Sequence, residues 1–202
     1  MANTLNAFNA NTAKNLELDA GILVMNVEDP ASLDYSTGTK LGATTGGVTA
    51  AFTNEMRNLF EDIDGARGKY KDGDIIDMQD ASITFTLLEM TAENLKMALA
   101  NADISENVAG GQTVTSRENI VSDDYYDNIC WFGTVKGSDL PMCLEIRNAI
   151  NEGGLNFTAA DKAKGTIACE IHGRKDVANP SAPAMLMHLP PQSTTEETTE
   201  ES

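Results

Sequence analysis

The sequence predicts a mainly β protein, an antiparallel β-sandwich or barrel-like fold with one short flanking α-helix, extended loops and flexible termini. Three observations predict it. Apolar and polar residues alternate with a period of two in several separate runs, as in Ile83, Phe85 and Leu87 against Ser82, Thr84 and Thr86. Glycines at Gly133, Gly137, Gly153-Gly154 and Gly173 punctuate the later runs. Only one stretch, Ala92 to Ala100, carries helical spacing. Regularly spaced strands with a single helix are the pattern of an antiparallel sandwich or barrel.

Taken in order, residues 1–15 are rich in Asn, Ala and Thr and read as an N-terminal arm. The β domain is expected over residues 16–175. It opens with Leu18 to Val27, a dense apolar run that predicts the first core strand. Glu28 to Leu41 carries Pro30 and Gly38 among polar residues and reads as a long loop, which makes it a candidate contact element. Gly42 to Met56 is the next strand, with Val48, Ala50 and Phe52 on one face, and Gly46-Gly47 inside it suggests a bulge or a close backbone approach. A turn-dense section follows, with the hairpin dipeptides Asp64-Gly65 and Asp72-Gly73. Between them Arg67, Lys69 and Lys71 alternate, so an extended chain would point all three the same way.

The strand through Ile83, Phe85 and Leu87 runs into the helix, where Thr91 reads as the N-cap, Glu93 favours the first turn, and Leu95 and Leu99 repeat at helical spacing. A helix of about two to three turns cannot bury its own apolar stripe and must lie against a sheet. Ala102 to Gly111 reads as loop. Gln112 to Val121, Ile129 to Lys136, Leu140 to Ile150, Leu155 to Thr158 and Gly165 to His172 read as strands. Residues 176–202 change character, first Pro-rich and then acidic, and are expected to be a flexible C-terminal tail in which Met185, Leu186, Met187 and Leu189 could dock on a partner.

The totals exclude several functions. A formal charge of −17 on 202 residues repels phosphates and argues against specific nucleic-acid binding. Cys130, Cys143 and Cys169 are odd in number, lack paired spacing and sit in apolar runs, so we expect small buried thiols in a reducing compartment and no cross-link. The first residues, MANTLNAFNANTAKN, have neither the basic start nor the apolar core of a signal peptide, and no run reaches the length of a membrane span. Synthesis and folding in a cytoplasm are expected.

No stretch supplies a catalytic set. GTKLGATTGG lacks the Gly-Lys-Ser/Thr that lets a phosphate loop reach phosphate and magnesium. Glu61 to Gly65 resembles the opening of a calcium loop, but Phe60 stands four before Asp64 and Lys71 where the bidentate Glu is needed. His172 and His188 are the only imidazoles, without a second ligand at metal spacing on the same element, and His172 reads as a surface or subunit-contact residue. The segment SDDYYDN, residues 122–128, gathers carboxylates and tyrosines that could bind sugar, and a solvated loop is the simpler reading. Neither enzyme activity nor a cofactor or metal is expected.

One resemblance spans about residues 15–175. A Gly-Ala-Thr-x-Gly-Gly-Val strand at Gly42 to Val48, the turn region DGARGKYKDG at Asp64 to Gly73, and LLEMTAENLKMAL at Leu87 to Leu99 follow one another in an order that resembles the major tail tube protein of long-tailed, siphovirus-like bacteriophages. The resemblance implies a structural virion protein, made in the bacterial host cytoplasm, whose hexameric rings stack into a channel for DNA passage during ejection. It implies partners as well: other copies of the chain, a tail terminator, a tape measure protein and distal tail proteins, with DNA passing without specific binding. Arg57, Arg67, Lys69, Tyr70 and Lys71, on and beside the turn region, are the candidate inter-subunit contacts. Two other readings stand beside it: the inner tube of a contractile tail or tailocin, and a carbohydrate-binding β-sandwich using SDDYYDN.

Overall fold

The alternating runs become strands. In the computed structural model, which describes residues 11–191, the elements in chain order are β1 (Ile22–Met25), β2 (Thr39–Lys40), β3 (Thr44–Asn58), β4 (Asp74–Leu87), α1 (Ala92–Leu99), β5 (Ala102–Glu106), β6 (Gln112–Ser116), β7 (Tyr126–Gly133), β8 (Met142–Asn151), β9 (Asn156–Thr158), β10 (Thr166–His172) and β11 (Met185–His188). The main sheet runs β2-β1-β7-β8-β10-β4-β3, with β11 added to β8 and β9 to β10, while β5 and β6 form a separate hairpin. Every pairing of these strands is antiparallel.

One edge of β8 carries β7; the other is shared by β11, opposite Cys143 to Ile146, and by β10, opposite Ile150 and Asn151 only. The two halves of the sheet therefore join at a narrow seam and fold their inner faces together. Leu23, Met25, Ile129, Leu144 and Ile146 from one half meet Ile83, Phe85, Leu87, Ile167, Cys169 and Ile171 from the other in a single core. The alternation read in the sequence is the alternation of burial: Ile83 and Leu87 are fully buried, and Ser82, Thr84 and Thr86 lie on the outward face.

The outward face of β1, β7 and β8 is covered. Val24, Cys130, Phe132 and Cys143 pack there beneath Val27 and Leu33 of the loop after β1. That loop is shaped by two 3-10 turns, each started by an aspartate: Asp29 accepts from the Ala31 N–H at 3.2 Å and Asp34 from that of Ser36 at 2.8 Å. The segment expected as a contact loop is thus a lid on a second small core.

Thr91 caps α1 as expected, accepting from the Asn94 N–H at 3.1 Å. The buried side is Asn94, Met97 and Ala98, with Leu95 half-buried. Asn94 is tolerated inside because its amide donates to the carbonyls of Leu41 and Glu89, both at 3.0 Å. The Gly46-Gly47 pair, at φ of +80° and +78°, marks a register shift between Thr45 and Val48, the bulge the sequence suggested.

Several expectations are corrected. Ala102 to Glu106, read as loop, is β5, and the strand begun at Gln112 ends at Ser116. Within the segment read as a flexible tail, Met185–His188 is β11, paired inside the chain with β8. Leu140 lies outside β8 and is exposed. The remainder of the expected arm and tail, residues 1–10 and 192–202, lies outside the described residues.

Candidate functional site

The β3–β4 hairpin is longer than the sheet that supports it. β10 pairs with β4 only from Ser82 to Leu87, and its strand ends at His172, so the hairpin continues from Ala81 to Asp74 as a two-stranded ribbon. The face that carries Ile83 and Ala81 into the core continues along it. Opposite Ala81 stands Phe52, 45% exposed; next on this face Gln79 donates to Asn54 at 3.0 Å, and beyond that pair Met56 and Ile76 face each other at 63% and 52% exposure. The sequence placed Val48, Ala50 and Phe52 on one face correctly, but only Val48 reaches the core. β3 is also the last strand of the sheet, so its outer edge has no strand partner among the described residues. An apolar face and a 15-residue open edge on one projecting element are features that soluble chains otherwise suppress.

The tip of the ribbon is a built loop. Asn58, 4% exposed, donates to the Tyr70 carbonyl at 3.0 Å and to the Asp74 carboxylate at 2.8 Å, and accepts from the Phe60 N–H at 3.1 Å. Phe60 and Tyr70 meet edge to face at 6.0 Å. A Cβ on Gly73 would fall 2.4 Å from the Phe60 ring, which fixes glycine at that position. Leu59, Ile63 and Tyr70 remain exposed around this frame.

The expected contact residues divide. Arg57 forks onto Asp77, Nε and Nη2 each 3.1 Å from a carboxylate oxygen, and so cross-links the ribbon where a bulge brings Asp77 within reach. That pair holds the Asp77 carboxyl below its ordinary value, chiefly through the hydrogen bond from Arg57. Arg67, Lys69 and Lys71 are exposed, and among the described residues none of the three forms an ion pair. They are not arranged as alternate residues of an extended chain: between Asn58 and Asp74 the backbone makes successive turns, and the Arg67 N–H donates to the Tyr70 hydroxyl at 3.4 Å. Asn58, Phe60 and Asp77 were missed in the sequence, where nothing distinguishes a buried loop asparagine from a solvated one.

The segment SDDYYDN is divided: Ser122, Asp123, Tyr125 and Asp127 are exposed, Tyr126 is half-buried, and Asp124 and Asn128 are internal. Asp124 is buried, pairs with Arg117 and accepts from the Val121 N–H at 2.8 Å. Asn128 is buried and exchanges two hydrogen bonds of 2.8 Å with the backbone of Val27. Burial, with Glu93 and Asp124 nearby, pushes the Tyr126 hydroxyl up to about 12. Asp124, Tyr126 and Asn128 position the chain, which leaves Asp123, Tyr125 and Asp127 as the displayed part of the segment.

Both histidines are partnered by carboxylates. His188 Nε2 lies 3.0 Å from Glu145, a buried carboxylate that also accepts from Arg147 at 2.7 Å, so β11 is fastened to β8 by a side-chain contact as well as by its ladder. His172, read as a surface or subunit-contact residue, has a side chain only 11% exposed. Its Nδ1 is 2.9 Å from Asp80, and its Nε2 is 3.4 Å from Glu170 and 3.6 Å from Glu152. Glu170, two residues earlier on β10, shares its face; the spacing of a strand made that partner legible. The two nitrogens look in opposite directions, so the carboxylates do not converge on one point, and among the described residues no cluster of His, Cys, Asp and Glu is arranged to hold a metal. The three thiols are buried and free, and burial raises that of Cys169 to about 12. No helix of the described residues is long and apolar enough to cross a membrane.

No family model matches the chain, and no curated protein matches it. Among solved structures, it is similar to a chain in the virion of a native gene transfer agent particle, at a TM-score of 0.45 and 7% identity over 86% of this chain and 100% of that one. It is similar also to a chain in the tail of an empty gene transfer agent particle refined with C6 helical symmetry, at a TM-score of 0.42 and 8% identity over 84% of this chain and 96% of that one. No residue of this chain takes a role from either.

Proposed function

We propose that this chain is a structural virion protein, the protomer of a phage tail tube, which polymerises into stacked hexameric rings enclosing a channel for DNA passage during ejection. The observation that carries the reading is the ribbon: the core-facing side of β3 and β4 runs on past the domain through Phe52, the Asn54–Gln79 pair, Met56 and Ile76, beside an edge strand that has no strand partner among the described residues. Both features are satisfied by a neighbouring copy. That contact is heterologous, one patch against a different one, and such contacts generate rings and filaments rather than closed dimers. The order of the Gly42 to Val48 strand, the Asp64 to Gly73 turns and the Leu87 to Leu99 strand and helix supports the family. The charge supports the cargo, since walls built from subunits of −17 each repel a polyanion instead of holding it. A sugar-binding reading would have to rest on Asp123, Tyr125 and Asp127 alone, since Asp124 and Asn128 bond inward.

The test replaces Met56 and Ile76 together with Asp. Both side chains are more than half exposed, so the free subunit should melt close to the parent, as surface changes shift stability by roughly 0.5 kcal/mol or less. In sedimentation velocity the parent should assemble with rising concentration and the double variant should stay a single subunit. Equal assembly of the two would sink the proposal.

A further inference from the structure

The ribbon has a defined root. The ladder between β10 and β4 runs to His172 opposite Ser82, one further backbone bond joins the Gly173 N–H to the Ala81 carbonyl at 2.9 Å, and from Asp80 outward β4 pairs with β3 alone. At that point the connection to the domain passes to side chains. His172 Nδ1 lies 2.9 Å from Asp80, the ribbon carboxylate closest to the root, while Nε2 lies 3.4 Å from Glu170 on β10 and 3.6 Å from Glu152 just after β8. Glu152 is held in turn by Arg174 and by its own N–H, which donates to the Glu170 carbonyl at 2.9 Å, so this side of the imidazole is fixed to the domain. Beside the root is a cleft of about 550 Å³, with Glu55 and Met78 on the ribbon side and Glu152, Arg174 and Lys175 on the domain side. Across it Lys175 Nζ donates to Gln79 at 3.2 Å, an exposed contact.

We propose that His172 is a proton-operated latch on the ribbon: protonated, it ties Asp80 to the domain, and on losing the proton it releases the ribbon to swing over the cleft. An ionised carboxylate only accepts hydrogen bonds, and carboxylates stand against both ring nitrogens. An imidazolium donates from both and bridges Asp80 to Glu170 and Glu152. A neutral imidazole keeps one N–H, so it serves one side and turns a lone pair toward a carboxylate on the other. Charge changes in the same sense. Asp80, Glu152 and Glu170 surround the ring, and Arg174 offsets Glu152; without the imidazolium, Asp80 and Glu170 have no counter-charge between them. The other charged groups at the cleft are Glu55 on β3 and Lys175, which is bonded to Gln79. The proton favours the form that binds it more tightly, here the latched one. An imidazole changes charge between about pH 5 and 8, so the latch is closed at the lower end of that range and open at the upper end. The device belongs to the single subunit. Its bearing on assembly rests on the tube reading, in which the ribbon it aims carries the contact residues Phe52, Met56 and Ile76.

A distance measurement on the free subunit tests this. Nitroxides are attached at Gly68→Cys, where an added Cβ meets open space at the ribbon tip, and at Ala168→Cys, exposed on β10; Cys130, Cys143 and Cys169 are buried and give little background. The labelled chain is kept dilute enough to remain a single subunit. Double electron–electron resonance should give a narrow tip-to-domain distance distribution at about pH 5.5 and a broader one at about pH 8. In His172→Gln, whose amide donates from one end only and does not titrate, the distribution should be broad at both. A parent distribution that does not respond to pH, or a variant that responds as the parent does, overturns the latch. Should His172→Gln not fold, Asp80→Asn is read instead: it removes the ribbon charge that the imidazolium holds, so its distribution should have the same width at both values, and persistence of the parent's response overturns the latch. The measurement needs no tube, so its failure leaves the tube reading standing, and failure of the parent to form tubes in micrographs leaves the latch standing.

Discussion

Met97 is 1% exposed on the core side of α1, against a sheet that supplies the rest of its contacts. Met97→Ala should cost about 2 to 5 kcal/mol, the range for a long buried side chain cut to a methyl, read as a shift in the urea midpoint. A cost near zero would mean the helix is not a packing element. Alkaline titration offers a second residue-scale test. Cys169 and Tyr126 ionise near 9.0 and 10.0 in the unfolded chain, while burial raises each to about 12 in the folded one. The stability they contribute is therefore complete below pH 9 and is lost as pH rises toward 12. Cys169→Ala removes the earlier part of that loss, so its urea midpoint should fall less than the parent's just above pH 9; parallel curves would refute the assignment. At this scale the apolar core was readable in the sequence, because Ile83, Phe85, Leu87, Ile167 and Ile171 alternate with polar residues. Buried polar groups were not. Asn58, Asn94, Asn128 and Glu145 are inside because partners distant in the chain await them, and residue type carries no sign of a distant partner.

Among the elements, strands and helix were legible from period and cap, and their reach was not. β3 and β4 show one continuous alternation, yet the part that is core and the part that projects are decided by where β10 stops, at His172. β11 was hidden for a related reason: Met185–His188 lies among prolines that suggest a free tail, and it is ordered by a ladder to β8 and by the His188–Glu145 contact. The tip of the ribbon yields a prediction of its own. Lys69 and Lys71 are exposed, so Lys69→Glu with Lys71→Glu should leave the subunit within about 1 kcal/mol of the parent. Repeated around a ring, even rim contacts of about 0.2 to 1 kcal/mol each accumulate, and charge reversal in an acidic assembly should slow or abolish tube growth, most strongly at low salt. Growth at the parent's rate in light scattering would remove the tip lysines from the interface.

For the whole molecule, the chain is a folded sheet with one covered outward face, one open outward face and a projecting ribbon whose exposed Phe52, Met56 and Ile76 lie beside an edge strand without a strand partner among the described residues. Charge, fold class and the order of the glycine-rich strand, turns and helix were visible beforehand; the asymmetry between the faces appears only once register is known. That asymmetry is what the proposed assembly would use. Negative-stain electron microscopy of the purified chain at high concentration tests this most directly. The account predicts hollow tubes with a stain-filled central channel and a regular axial repeat. Dispersed single subunits at every concentration and salt, with the ribbon's Phe52, Met56 and Ile76 left in water, would contradict it.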